Sequence, residues 1–429
     1  MWWKDAVFYE TYVDKFAGNF NQFANRLDYL KKLGIDCIHI LPHYPSPMID
    51  DGYDVSDYMN VREDLGTLEN FDFFISEAKR MGIRIMIDLV LNHVSTIHPW
   101  FLEAKSTATN KKRNFFLWSK TGTEFKDAEN PFIDLKPRNW IYDETTGEYF
   151  FSTFYPEQAD LNWDNAEVFS EMMKVIDFWA SRGVDGFRLD AVSHLIKREG
   201  TNSKCLPETH RVIKNIRAYL DRRWPNRALL AEVHESMDKV REFFGNGDEA
   251  HLVYNFPLAE KIFLSLLRND REAILPVLEA STGIPANCQW ATFLRNHDEL
   301  SLATLDEHEY YEFIRAYDPE EKNIFGRGVS LRVADLCSGD KTKIVSAFQT
   351  LFNCSGSPII YYGDEIGMKN LPLLEEADNR RAGRGPFDWS LALKCAADPD
   401  SVLSKISELV KTRKTIPSRL IEEKEKIST

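Results

Sequence analysis

The chain has 429 residues, of which 43% are hydrophobic and 28% are charged, as is usual for a soluble globular protein. Its formal net charge of −14 argues against nucleic acid and anionic membranes as partners. No apolar run is long enough to cross a membrane, and the start lacks a secretion signal, so we expect a cytoplasmic protein. Six scattered cysteines without a CxxC motif indicate neither a disulfide framework nor a zinc site.

One structural unit recurs along the chain: an amphipathic helix, a glycine, and then a buried β-branched strand. Gly34, Gly82 and Gly183 occupy the middle of three such units. Each glycine is predicted to take the left-handed conformation just past a helix C-terminus, where the preceding basic residues suit the helix dipole. Helices that lead directly into buried strands are typical of a parallel sheet covered by helices.

In chain order, the pattern predicts eight strands separated by helices. The strands cover residues 5–13, 35–41, 83–91, 184–190, 228–233, 250–256, 289–295 and 358–363. The helices cover residues 20–33, 67–81, 166–181, 207–222, 258–269, 343–353 and 401–413. This order favours an α/β fold of the (β/α)8 TIM barrel type over an open doubly wound sheet, and no GxGxxG motif follows a strand.

Two connections are too long to be simple loops. Residues 94–165, after the third strand, carry a hairpin signal and are predicted to form a small β-rich inserted domain B. Residues 299–342, after the seventh strand, are predicted to form a lid-like excursion. The barrel itself is then expected to comprise residues 1–93 and 166–415, followed by a tail at 416–429.

Polar side chains follow four of the predicted strands at their carboxyl ends. Asp190 ends the fourth strand, Glu232 ends the fifth, and Asp298 follows the seventh, while the third ends at Asn92 and His93. Burial of such groups costs several kcal/mol unless it is compensated, so four at neighbouring strand ends indicate one shared site.

Arg188 and Asp190 lie on the same face of the fourth strand because side chains alternate along a strand. In isolation this is a structural ion pair, but within a shared site the arginine keeps Asp190 ionised as a nucleophile. Glu232 on the adjacent strand is expected at the separation of about 5–5.5 Å that retaining glycosidases use. With fewer cations nearby, Glu232 is predicted to hold a proton as general acid and then base.

These segments resemble the signature regions of glycoside hydrolase family 13, the α-amylase superfamily. The matching stretches are Asp88 to His93 (DxxxNH), Gly186 to His194 (GFRxDAxxH), Glu232, and Asn296 to Asp298 (NHD). Residues 158–162 resemble a fifth region, QPDLN, with Ala159 in place of its proline. The resemblance covers nearly the whole chain and implies a retaining enzyme of α-glucosides built on a (β/α)8 barrel.

The resemblance also implies roles for individual residues. Asp190 becomes the nucleophile, Glu232 the acid/base and Asp298 the stabiliser of the transition state, with no cofactor required. The implied ligands of the sugar are His93, Arg188 and His297, together with Asp50 and Tyr53 after the second strand. Asp50 would bind the hydroxyl at the non-reducing end and Tyr53 would stack on the glucose ring. The alternative for these two residues is a plain loop with Asp-Gly turn chemistry.

Further stretches resemble the trehalose synthase subgroup, which interconverts maltose and trehalose. They lie at residues 41–58, 91–93, 98–101, 198–202, 206–210, 244–249, 287–300 and 360–368. This resemblance implies that the excursion after the seventh strand encloses the cleaved glucose so that it attacks the glucosyl enzyme before water does. The expected partner is a small α-glucoside: maltose, trehalose or a malto-oligosaccharide.

Three departures from the family pattern bear on the function. Lys197 stands where an acidic calcium ligand is usual, so its ammonium disfavours a structural calcium, although Asn92 and Asp160 remain as oxygen donors. Arg384 is kept, but the following residues differ from the usual RTPMQW, so acceptor binding is expected to differ. The last predicted helix ends at residue 413, so the family's C-terminal β domain is not expected here. A reduced member, a homo-oligomer or a partner subunit on the uncovered barrel surface are the alternatives.

Three functions remain open on the sequence. The leading one is a retaining α-glucosyl enzyme that interconverts maltose and trehalose. The second is a hydrolase of the α-glucosidase or α-amylase type, favoured by the altered residues around Arg384. The third, a non-catalytic sugar-binding protein, is opposed by the joint presence of Asp190, Glu232 and Asp298.

Overall fold

A closed barrel of parallel strands forms the centre of the molecule. The computed structural model describes residues 1–133, 135–373 and 378–416. The barrel strands are β1 (Phe8–Thr11), β2 (Cys37–Ile40), β3 (Arg84–Val90), β4 (Gly186–Asp190), β5 (Ala228–Ala231), β6 (Leu252–Tyr254), β7 (Gln289–Phe293) and β8 (Ser357–Tyr361). The predicted (β/α)8 barrel is confirmed, and its strands are shorter than predicted.

The strands follow one another around the barrel in chain order, and β1 closes it. Phe8 pairs with Cys37 of β2 on one side and with Ile359 of β8 on the other. Every residue of β1, β2, β4, β5, β6, β7 and β8 is buried, which explains their nearly continuous apolar sequences. All eight carboxyl ends therefore meet at one end of the barrel.

Helices cover the outside of the barrel. They are α1 (Leu27–Leu33), α2 (Leu68–Arg80), α3 (Ala166–Ser181), α4 (Pro207–Arg223), α5 (Met237–Glu242), α6 (Phe256–Arg268), α7 (Lys341–Asn353) and α8 (Val402–Thr415). Further helices lie at Val13–Ala17, Phe20–Ala24, Pro99–Ser106, Leu275–Ala280, Glu307–Tyr317, Val333–Leu336 and Trp389–Ala397. The single helix predicted at 20–33 is wrong: the chain leaves the helical path at Asn25 and Arg26. In the described ranges no helix is long and apolar enough to cross a membrane.

The two long connections contain short sheets of their own. After β3, the hairpin of Trp140–Asp143 and Glu148–Phe151 is present, and Trp118–Ser119 adds a third strand to it. After β7, three short strands and two helices fill the excursion. The division into domains stays a prediction, and residues 417–429 of the predicted tail lie outside the described residues.

Glycines end the helices at the predicted positions. Gly34, Gly82 and Gly183 have φ values of 98°, 71° and 101°, in the left-handed region that favours glycine. Gly34 also lies against α8, because a Cβ atom there would come within 2.7 Å of Val410 Cγ1. Gly34 thus combines a backbone requirement with a close approach between α1 and α8.

We expect Gly34→Ala to lower the free energy of unfolding by at least about 1 kcal/mol more than Gly200→Ala does, because it adds an overpacking cost. Gly200 also has a positive φ of 70°, but a Cβ atom there would meet nothing within 4 Å. Denaturant titration of the two variants measures the difference. Equal losses would show that the contact with Val410 carries no strain.

Candidate active site

A cavity of about 270 Å³ opens at the carboxyl ends of the barrel strands. This volume is near the lower end of the range for small-molecule sites. The barrel, the connection at 94–165 and the excursion at 299–342 all contribute to its wall. The lining includes Asp50, Tyr53, His93, Glu129, Phe132, Asp190, His194, Lys204, Glu232, His234, Asp298, Glu299, Phe325 and Arg380.

Arg188 on β4 lies behind the cavity and connects three carboxylates. Its Nη1 atom is 2.8 Å from Asp88 Oδ1 and 2.5 Å from Asp190 Oδ1, and its Nη2 atom contacts Glu232. The same Nη1 donates to the Tyr53 hydroxyl at 3.3 Å. The Arg188 side chain is fully buried. A single cation therefore orients both carboxylates of the predicted catalytic pair.

The charges around this pair oppose the predicted protonation. Burial raises the pKa of Asp190 well above its usual value, and Glu232 and Asp88 raise it further against the opposing effect of Arg188. Burial also acts on Glu232, but Arg188 and His234 outweigh it and lower its pKa to about 2. The sequence did not show that the second guanidinium nitrogen reaches Glu232. These shifts favour a proton on Asp190 over one on Glu232, the reverse of the predicted order.

Asp298 is held from three sides. His297 Nε2 lies 3.1 Å from its Oδ2, and Arg380 and Arg384 each donate to its Oδ1 at 2.9 Å. Burial would raise the pKa of Asp298, but His297 and then the two arginines lower it well below its usual value. Asp298 is therefore an ionised carboxylate with a fixed orientation.

His297 connects Asp298 to the first strand. Its Nδ1 atom lies 2.9 Å from Glu10 Oε1 on β1, and its Nε2 atom lies 2.6 Å from the Tyr53 hydroxyl. The Tyr53 and His297 rings are stacked with centroids 5.3 Å apart. Burial lowers the pKa of His297, but Asp298 and Glu10 outweigh it and raise the pKa to about 10. His297 is therefore an imidazolium at neutral pH.

Asp50 closes one end of the cavity. Gln158 Nε2 donates to its Oδ2 at 2.8 Å, and Arg380 Nη2 lies 3.5 Å from its Oδ1. Burial raises the pKa of Asp50 to about 6, although Arg380 and Arg384 oppose the rise. The Arg380 guanidinium also lies 5.0 Å from the ring centre of Phe132 and 4.5 Å from that of Phe325.

The structure brings the predicted residues together in two layers. Asp50, Tyr53, His93, Asp190, Glu232 and Asp298 line the cavity. Arg188, His297 and Arg384 are buried behind them and donate to cavity-lining groups or their neighbours. Arg384 also donates to the His297 carbonyl at 3.0 Å and to Asp51 Oδ2 at 2.5 Å. Direct contact of these three residues with a sugar stays a prediction.

Sequence reasoning did not assign several residues of the site. Glu10 is a carboxylate in an otherwise apolar strand, which was a usable signal. His234 follows Glu232 by two residues just after β5, so its position close to a strand end was also a signal. Arg380 comes from a short 3-10 helix, Asn379–Gly383, after β8 with no strand end to mark it, and Phe132 and Phe325 come from the two long connections.

The residues expected to bind calcium are already occupied by a lysine. Lys197 Nζ lies 2.7 Å from Asp160 Oδ2 and 3.1 Å from Asn92 Oδ1, and it also contacts the His194 carbonyl. Lys197 and Asp160 are both buried. Because the ammonium engages these three oxygens, the donor set does not fit a calcium ion.

Comparison with known proteins adds to this geometry. Residues 6–318 match the family model described as Alpha amylase, catalytic domain. The chain is 41% identical over 398 residues to the trehalose synthase of Thermus thermophilus, covering 91% of this chain and 41% of that protein. It is 40% identical over 403 residues to the trehalose synthase/amylase TreS of Mycobacterium tuberculosis (strain ATCC 25618 / H37Rv). That match covers 91% of this chain and 66% of that protein. The chain thus spans less than two thirds of either relative.

A solved structure shares the fold. The crystal structure of isomaltulose synthase (PalI) from Klebsiella sp. LX3 aligns with a TM-score of 0.79 at 25% identity. The alignment covers 97% of this chain and 85% of that one. The barrel and the cavity at its carboxyl end therefore belong to an architecture with solved precedents.

We expect Lys197→Met to lower the free energy of unfolding by about 3–5 kcal/mol, because it leaves the Asp160 charge buried and unpaired. Lys174→Met is the control. Lys174 pairs with Glu171 at 3.0 Å, and 63% of the Lys174 side chain is exposed, so this substitution should lower the free energy of unfolding by less than about 1 kcal/mol. Calcium or a chelator should leave the Tm of the unmodified chain unchanged. A Tm that rises with calcium would contradict the lysine replacement.

The raised pKa of His297 predicts a loss of stability at alkaline pH. Its stabilising contribution is complete below the ordinary pKa of 6.5 and disappears as the pH rises through about 10. Denaturant titration across this range should show a falling free energy of unfolding, and Glu10→Gln should flatten the fall by removing one carboxylate partner. Equal slopes in both proteins would contradict the assignment.

Proposed function

Because the chain belongs to the α-amylase family, glycoside hydrolase family 13, we propose that it is a retaining α-glucosyl enzyme that interconverts maltose and trehalose. The proposal rests on one observation above all. Asp190 at the end of β4, Glu232 just after β5 and Asp298 after β7 face one cavity, and the first two share the Arg188 guanidinium. The named activities of the related trehalose synthases supply the substrate class.

The first half of the proposed reaction forms a glucosyl ester on Asp190. The Asp190 carboxylate attacks the anomeric carbon while Glu232 gives a proton to the glycosidic oxygen, which leaves with the second glucose. This step needs the proton on Glu232, whereas the charges favour it on Asp190. The proposal therefore includes the transfer of one proton from Asp190 to Glu232 when substrate binds, with no change in the total charge.

Asp298 and Asp50 act on the sugar ring in this proposal. The fixed, ionised Asp298 accepts hydrogen bonds from ring hydroxyls and offsets the positive charge that develops at the anomeric carbon. Asp50 and Arg380 close the end of the cavity, so only a terminal glucosyl unit fits there. This closure favours a disaccharide over the interior of a long glucan.

The second half of the reaction decides between isomerisation and hydrolysis. A hydroxyl of the released glucose gives its proton to Glu232 and attacks the ester carbon, which restores Asp190 and forms the other disaccharide. Water in the same place gives free glucose instead. Retention of the released glucose is supported by the contact between Phe132 and Phe325, whose ring centroids are 5.6 Å apart across the cavity wall.

A hydrolase remains the second candidate because one relative is named both synthase and amylase. The two activities share the glucosyl ester and differ only in the acceptor. Incubation of the chain with maltose, followed by NMR of the sugars, separates them. We expect trehalose as the main product with little glucose. Glucose as the only product would establish the hydrolase instead.

We expect Asp190→Asn to lower kcat on maltose by at least about 10³-fold, because the amide cannot form the ester. Asp64→Asn is a control that removes a carboxylate of similar type outside the cavity, one that pairs with Arg62 at 2.6 Å. Its kcat should stay within about twofold of the unmodified chain. Substantial turnover by Asp190→Asn, measured by the same NMR assay, would overturn the assigned nucleophile.

A further inference from the structure

His234 is a titratable group in the cavity wall that the proposed reaction does not use. It follows Glu232 by two residues after β5, and its Nε2 atom lies 3.6 Å from Glu232 Oε1. About 31% of its side chain is exposed, so it can exchange protons with solvent. It therefore stands beside the carboxyl that must carry the proton for bond cleavage.

The imidazole is held in place by an aromatic ring. The ring centroids of His234 and Phe256, at the start of α6, are 3.7 Å apart with the planes tilted by 34°. Phe256 is buried and packs in turn against Phe293 of β7, with centroids 5.0 Å apart. This support restricts the side chain, so the short distance to Glu232 follows from packing and not from an exposed, freely rotating group.

Other titratable groups surround the pair. Glu232 lies just after β5 and faces His234. Glu299, in the segment after β7, and His194, in the segment after β4, both interact electrostatically with His234. Burial lowers the pKa of His194 well below its usual value, so it is neutral at neutral pH. Asp190, Asp298 and Lys204 also line the cavity.

The positive charges near this cluster have their own partners. The Lys204 ammonium is engaged by Glu129 and Glu235, each at 3.1 Å. Arg188 is shared among Asp88, Asp190 and Glu232. His234 is therefore an imidazole in contact with Glu232 that these pairings leave available, whereas Arg188 remains a cation throughout.

We propose that His234 is a positioning residue that sets the pH range over which Glu232 carries the proton for glycosidic bond cleavage. The inference rests on the proposed function and concerns the same site. A protonated imidazole at His234 stabilises the ionised form of Glu232 and so lowers the pKa of Glu232. The upper limit of the active pH range therefore lies at a lower pH than it would without His234. His234 does not touch the reacting atoms in this scheme and acts through Glu232.

The test measures kcat/KM for maltose against pH, because this ratio reports the ionisations of the free enzyme. Its high-pH limb, the fall in kcat/KM on the alkaline side, reports loss of the proton that Asp190 and Glu232 share. In His234→Asn we expect the high-pH limb to move upward by about one unit, because the neutral amide no longer favours the carboxylate. His234→Lys keeps a positive charge beside Glu232. In this variant the high-pH limb should lie at the same pH as in the unmodified chain, or at a lower pH. His210→Asn is the control, because His210 pairs with Glu249 at 2.7 Å outside the cavity lining.

The outcomes separate the role of His234 from the proposed function. The role of His234 would be overturned, and the proposed function left standing, if the high-pH limb does not move in His234→Asn. The same holds if the limb moves equally in the Asn and Lys variants. A fall in kcat at every pH without a shift would also overturn it, because it would indicate a merely structural role. If the unmodified chain consumes no maltose, the proposed function fails and this inference fails with it.

Discussion

The site depends on one buried guanidinium that serves three carboxylates. Arg188 contacts Asp88, Asp190 and Glu232, and all four side chains are buried at the carboxyl end of the barrel. Buried carboxylates without a cation carry a large desolvation cost. Asp88 has a second partner in His39, whose Nε2 atom lies 3.5 Å from Asp88 Oδ2; burial lowers the pKa of His39, but Asp88 and Glu10 outweigh it and raise that pKa. The charges around Arg188 therefore influence whether a proton resides on Asp190 or on Glu232. The groups around the cluster, from Asp298 to His234, act by changing where it resides.

The enclosure of the site depends on a second cation. Arg380 reaches Asp298, Asp378 and Asp50, and its guanidinium also lies near the rings of Phe132 and Phe325. These rings come from the two long connections of the barrel. Tyr155 adds a hydrogen bond to Asp378 at 2.8 Å. The same arginine that orients the transition-state stabiliser thus joins the segments that separate the cavity from water, which links catalysis to the choice between glucose and water as acceptor.

The sequence was most informative where burial and chemistry act on the same residues. Apolar strands that end in Asp190, Glu232 and Asp298 predicted both the barrel and the shared cavity, because burying several carboxylates at strand ends is costly unless they meet in one site. The break between Phe20–Ala24 and α1 was missed, since the helical periodicity continues through it. Arg380 was missed because it lies in a short 3-10 helix away from any strand end. The charges that oppose the predicted protonation of the pair were missed, since a sequence does not show which atoms one guanidinium reaches.

The central claim is that Asp190 forms a covalent bond to glucose in this cavity. It is tested most directly by incubation with a fluorinated α-glucosyl fluoride, which forms the ester readily but releases it slowly, followed by digestion and mass spectrometry. The account predicts that the peptide containing Asp190 gains the mass of one fluorinated glucosyl unit. Release of fluoride without any labelled peptide, or a label on the peptide containing Glu232, would contradict it.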